Sequence, residues 1–169
     1  MASFKKVQGL QVATITEGAI VGTVADLQFD LENRGIYGYR VKSGAVFSKT
    51  AGVGTGAVRL LGRDLLLIEA ESALEAGASK APAEDGRAWA SAYIGSKVLS
   101  RKGEAVGTVE DLEVERERVV GLLLDQDRVV ALDGRVTLGK DVVVVEDAAQ
   151  AEKAPPDAGG SFWSRMKVF

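Results

Sequence analysis

Short aliphatic runs separated by glycine, aspartate and asparagine fill most of the chain. Valine, isoleucine, leucine and threonine in such runs predict strands, and the residues between them predict turns. The pattern places strands near residues 10–15, 20–29, 36–41, 45–48 and 65–69, and again near 96–100, 105–115, 119–124, 128–132 and 142–146. "ENRG" (32–35), "SG" (43–44), "RKGE" (101–104) and "DG" (133–134) supply turn residues that tolerate positive φ. In "VGTVEDLEV", Thr108, Leu112 and Val114 share one parity, and Asp111, Glu113 and Glu115 the other. That alternation predicts a half-buried strand with a wet outer face. "VVVV" (142–145) is strand-sized, and no run approaches the ~20 apolar residues that span a bilayer.

The pattern occurs twice. "VGTVADL" (21–27) returns as "VGTVEDL" (106–112), differing only at Ala25 and Glu110. Gly9 and Val12 precede the first copy as Gly95 and Val98 precede the second, and Gly38 in "IYGYRV" matches Gly121 in "VVGLLL". "GRDLLLIEA" (62–70) and "GKDVVVVED" (139–147) close the two copies. Two copies at this period predict a duplicated domain rather than a solenoid. So few short strands per copy do not make a two-sheet sandwich, and a small closed or nearly closed barrel hides their edges better.

The order strand, G-x-x-V, turn, V-G-T-V-x-D-L, V-x-G-L, L-G-x-D-x-V-x-V resembles the PRC-barrel domain. The resemblance covers about 1–71 and 91–147 and rests on structural glycines and strand pattern. It implies an all-β chain of two tandem small β-barrels. It also implies assembly or adaptor work, as in the photosynthetic reaction-centre H subunit and the ribosome-maturation factor RimM.

The expected organisation is one barrel at 1–71, a linker at 72–90, a second barrel at 91–147 and a flexible C-terminal tail at 148–169. The linker is rich in alanine, glycine and small polar residues, and "ESALEAGA" within it predicts a helical turn or two. The tail carries Pro155-Pro156 and Gly159-Gly160 before ending in "SFWSRMKVF". A helix begun at Ser161 would set Phe162, Met166 and Phe169 along one side. Phe162, Trp163, Arg165, Met166 and Phe169 are therefore the candidate partner-binding residues. Three destinations are open for this tip: its own barrel, another protein or a second copy of the chain, and a membrane surface.

Composition narrows the chemistry. The chain has no cysteine and no histidine, which removes thiol chemistry, disulfides, and the commonest general base and metal ligand. No catalytic residue, cofactor or metal is expected, and the absence of cysteine and of a secretory signal fits a cytoplasmic address. The net charge is −3. Residues 91–147 hold twelve acids against eight bases, and 1–71 hold seven against eight. An acidic second barrel with few aromatic residues opposes nucleic acid as a partner.

Asp26 and Asp111 occupy the same place in the two copies, where a strand disfavours aspartate. They are read as structural carboxylates that accept backbone N–H bonds, and Asp64 and Asp141 are read in the same way. "AGVGTGA" (51–57) fits neither a Walker loop nor a dinucleotide fingerprint. Gly38 and Gly62 lie 24 positions apart against 18 for Gly121 and Gly139, so the stretch is read as a longer loop on the first barrel.

The expected function is a non-enzymatic binding or scaffold module docking onto protein partners, or onto itself, through barrel surfaces and tail. The alternatives are a peripheral membrane protein on the cytoplasmic face, similar in position to the H subunit, and a ribosome-assembly adaptor similar to RimM.

Overall fold

A computed structural model describes residues 2–43, 49–76 and 86–154. The first copy contributes β1 (Ala2–Ser3), a helical turn α1 (Phe4–Val7), β2 (Gln11–Thr14), β3 (Ile20–Asp30), β4 (Ile36–Ser43), β5 (Lys49–Gly54), β6 (Val58–Leu61), β7 (Leu65–Ile68) and β8 (Glu75–Ala76). The second contributes β9 (Arg87–Trp89), a 3-10 turn at Ala90–Tyr93, β10 (Lys97–Ser100), β11 (Ala105–Glu115), β12 (Arg118–Leu124), β13 (Arg128–Ala131), β14 (Val136–Leu138), β15 (Val142–Val145) and β16 (Glu152–Lys153). Each element of one copy has its counterpart in the other.

Each copy builds one curled sheet, in the order β6-β7-β2-β3-β4-β5-β8 and β14-β15-β10-β11-β12-β13-β16. The two orders are identical, as a duplication requires. Among the described residues, the only parallel ladder within each joins β2 to β7 and β10 to β15. The repeated phrase lies in the long strands β3 and β11. Both are bulged where they pair with β2 and β10, beside Gly22 and Gly107. A Cβ on Gly22 would sit 2.6 Å from the Lys42 carbonyl oxygen, and one on Gly107 would sit 2.6 Å from Asp125 Oδ1. At Gly22 the obstacle is backbone and only glycine leaves room, whereas at Gly107 it is the ends of the Asp125 and Arg128 side chains. The echo in the sequence is therefore the signature of one crowded bulge built twice.

Two compact units result, and the leading strands are exchanged between the copies. Lys5–Ser91 forms one unit, called here the N-terminal unit. The residues from Ala92 onward form the other, the C-terminal unit, together with the N-terminal residues through Phe4. Accordingly β1 pairs with β11, with Ala2 opposite Val114, while β9 pairs with β3, with Ala88 opposite Phe29. Each sheet thus takes its eighth strand from the other copy.

Val12, Leu27, Phe29, Tyr39, Leu66 and Ile68 fill the core of the N-terminal unit, each at most 2% exposed. Phe4, Val98, Leu112, Leu122, Leu124 and Val143 do so in the C-terminal unit, all fully buried. Removing each such side chain from water stabilises the fold by roughly 1.5–3 kcal/mol before its entropy cost.

Several expectations are corrected. The strand expected at 45–48 falls on residues outside the described ones, and the fourth strand is β5 at Lys49–Gly54. "AGVGTGA" is accordingly no loop: it is the second arm of the β4–β5 hairpin followed by a 3-10 turn, Thr55–Ala57. Gly38 pairs with Gly54, 16 positions on, whereas Gly121 pairs with Ala131, 10 positions on. The six extra residues therefore all lie in that hairpin.

β6 and β14 were not expected. They are short, and β6 carries a bulge beside Arg59 that breaks its alternation. Within the stretch expected as linker, Glu71–Ala73 forms a 3-10 turn, and Glu75–Ala76 and Arg87–Trp89 are strands. Asp111, expected on the wet face of β11, is 7% exposed, and Thr108, expected on its dry face, is half-buried. The bulge between Val109 and Asp111 resets the alternation there.

Candidate interaction surface

The repeated aspartates hold the fold. Asp26 is 2% exposed. Its Oδ1 accepts the backbone N–H groups of Leu27 (2.9 Å) and Ser91 (3.1 Å). Its Oδ2 accepts the Ser91 hydroxyl and lies 3.9 Å from Arg40 Nη1. Asp111 Oδ1 likewise accepts the Leu112 N–H at 2.8 Å. Both aspartates sit at a bulge in the ladder to the following strand, where the extra residue frees N–H groups for a carboxylate.

Asp64 differs from its expected role. It is exposed in the turn after Gly62, and its carboxylate faces the equally exposed Arg63 at 3.3 Å. Asp30 was not singled out in the sequence. Its Oδ1 accepts the N–H groups of Glu32 and Asn33 in the β3–β4 turn. Those two N–H bonds hold its carboxyl below the usual aspartate pKa. Among the described residues, no three Asp or Glu side chains gather in a way that suits a metal ion.

The outer face of the N-terminal unit is less ordinary. Among the described residues, the large hydrophobic side chains that stand exposed are Ile15 (50%), Ile20 (57%), Tyr37 (50%) and Leu60 (56%), all in this unit. Three of them belong to one feature. Leu60 pairs with Leu67, Leu67 with Ala13, and Ala13 with Ile20. Directly paired residues project from the same face of a sheet, so the four side chains form a row across β6, β7, β2 and β3. Three strand spacings make it about 14 Å long. Ile15 shares the parity of Ala13 and extends the row at the end of β2, where its N–H donates to the Ile68 carbonyl at 3.0 Å.

The second copy supplies an internal control. There Thr137 pairs with Val144, Val144 with Leu99, and Leu99 with Ala105. Arg101 donates its N–H to the Val145 carbonyl at 2.9 Å, as Ile15 does to Ile68. One backbone framework thus carries Leu60, Ile20 and Ile15 in one copy and Thr137, Ala105 and Arg101 in the other. The framework does not require large aliphatic side chains at the ends of the row, so their exposure in the N-terminal unit is particular to that copy. Carboxylates rim the Ile15 end: Glu17, whose Oε1 accepts the Glu71 N–H at 2.7 Å, Glu71 itself, and Glu69, bridged to Arg59 at 2.6 Å.

A second contrast separates the copies. Arg40 lies over Trp89 at 4.1 Å from the ring centroid, and Arg87 over Tyr37 at 3.4 Å. The positions of Tyr37 and Arg40 are taken in the second copy by Val120 and Leu123, which pack on buried Val129 and Ala154. The arginines cover aromatic faces through cation–π contacts where the C-terminal unit uses aliphatic packing.

The family model of the PRC-barrel domain matches residues 1–74. The first copy is a PRC-barrel domain. The match ends before the second copy begins; that copy shares with the first its strand order and the repeated phrase. No curated protein matches the chain.

Phe162, Trp163, Arg165, Met166 and Phe169, the partner-binding residues expected from the sequence, lie outside the described residues. Ile15, Ile20 and Leu60 were missed. Aligning the copies exposes them, because each stands against a small, polar or charged residue in its counterpart. Strand pattern alone hides them, since an outward isoleucine reads like an inward one.

Proposed function

We propose that the chain is a non-enzymatic binding module in which the PRC-barrel of the first copy presents the Leu60–Leu67–Ala13–Ile20 face to a protein partner. The observation that carries this reading is the row ending in exposed Leu60 and Ile20 in one copy against a row ending in Thr137 and Ala105 on the same framework in the other. Apolar ends with an acidic rim suit a partner segment that brings aliphatic or aromatic anchors and basic flanks. The lack of histidine and cysteine supports a role without acid–base or thiol chemistry, and the net charge of −3 supports a protein over a nucleic-acid partner. Among the described residues no helix is long and apolar enough to cross a membrane.

Quantitative capture from the native cell lysate tests the reading. Full-length bait carrying Ile20→Lys and Leu60→Lys should lose the proteins that wild-type bait retains. The matched pair Ala105→Lys and Thr137→Lys, on the second copy, should retain them. Identical capture by all three baits would remove the row from consideration.

A further inference from the structure

We infer that the occupant of the Leu60–Leu67–Ala13–Ile20 row is the C-terminal segment 161–169 of a second copy of this chain. The inference rests on the binding-module reading and names its partner.

Size argues for a short segment. Three aliphatic side chains, each about half exposed, fall far below the roughly 800 Å² per partner that a stable globular interface buries. They match two or three anchor side chains inserted from a peptide. The segment "SFWSRMKVF" brings Phe162, Trp163, Met166 and Phe169 within nine residues. Charge agrees as well. The segment holds Arg165 and Lys167 and no acidic side chain, and the row is rimmed at its Ile15 end by Glu17, Glu69 and Glu71, with Arg59 the one base among them.

The point of attachment leaves docking on a second copy unrestricted. Ala154 is buried in the C-terminal unit, and its N–H donates to the Asp127 carbonyl. From there residues 155–161 span at most roughly 25 Å. Docking on the chain's own row would require that short arm to find it, whereas docking on a second copy imposes no such condition. Each chain then holds one donor segment and one acceptor row, because the counterpart row in the second copy ends in Thr137 and Ala105 and offers no large exposed aliphatic side chain. Each contact therefore pairs unlike surfaces, the segment of one chain and the row of another.

Sedimentation velocity on the purified full chain over a range of concentrations tests this. The wild type should sediment faster as concentration rises. Phe162→Ala/Trp163→Ala should remain monomeric, and so should Ile20→Lys/Leu60→Lys, each weakening association by about tenfold or more. An equimolar mixture of the two variants should form a dimer and nothing larger, since one retains only the row and the other only the segment. Should the lysine pair lower the melting temperature, the triple change Ile15→Arg, Ile20→Ala and Leu60→Thr installs residues that the same framework already holds in the second copy.

A wild type that stays monomeric at every concentration would overturn the inference, as would variants that fail to complement each other. Monomeric behaviour combined with row-dependent capture from lysate would leave the broader binding reading intact. Co-sedimentation with anionic vesicles that depends on Phe162 and Trp163, in a chain that does not self-associate, would assign the segment to a lipid surface instead.

Discussion

Asp26 shows how one side chain becomes indispensable. Its buried carboxylate accepts the Leu27 N–H and, from exposed Ser91, both the backbone N–H and the hydroxyl. Removing it strands the buried Leu27 N–H and unties the Ser91 turn from the strand, and a buried donor without a partner costs on the order of 1–3 kcal/mol. Asp26→Ala is therefore expected to lower stability by about 3 kcal/mol in urea unfolding. Asp64→Ala removes only an exposed ion pair and should change stability by less than about 0.5 kcal/mol. Equal effects would show that the Asp26 bonds do not persist in solution. The sequence marks both aspartates alike, since each recurs in the second copy. Burial separates them, and burial belongs to the sheet.

Among the elements, the β11–β12 hairpin carries visible strain. Glu115 pairs with Arg118, so Arg116 and Glu117 form a two-residue turn, at φ 47° and 63°. Those left-handed values suit asparagine and glycine and cost other residues roughly 1 kcal/mol each. Replacing Arg116 by Asn and Glu117 by Gly should raise the melting temperature by several degrees. An unchanged or lower melting temperature would mean that the turn relaxes in solution. The turn position was readable from the flanking strands, but the handedness was not, because neither residue announces it. β6 and β14 escaped for a related reason. They are short and stop at the turns after Gly62 and Gly139, and their place in the fold comes from pairing with β7 and β15.

At the level of the whole molecule, the exchange of leading strands has a mechanical consequence. Phe4 is fully buried and belongs with the C-terminal unit, although 87 residues separate it from Ala92, where the rest of that unit begins. Phe4→Ala should destabilise that unit by about 3–5 kcal/mol. Hydrogen exchange is expected to speed up in β11 and β12, while β3 and β4 in the N-terminal unit stay protected. Uniform loss of protection would show that the two units unfold together. By the same logic, a cut between residues 76 and 86 would leave the two fragments joined through the β9–β3 and β1–β11 ladders.

The sequence by itself determined the repeated pattern, the all-β class and the structural carboxylates at Asp26 and Asp111, though not the exposure of Asp64. These depend on local geometry: positive φ, alternation and close backbone approach leave marks within a few residues. Only the tertiary structure decided which outward positions line up across four strands, and which copy supplies the eighth strand of each sheet. Ile15, Ile20 and Leu60 are scattered over 46 positions, and the pairing of β6, β7, β2 and β3 gathers them. β1 and β9 are two and three residues long and carry no pattern of their own. Their partners are set by which free edge the folded sheets present, a property of the assembled backbone that no stretch of residues records.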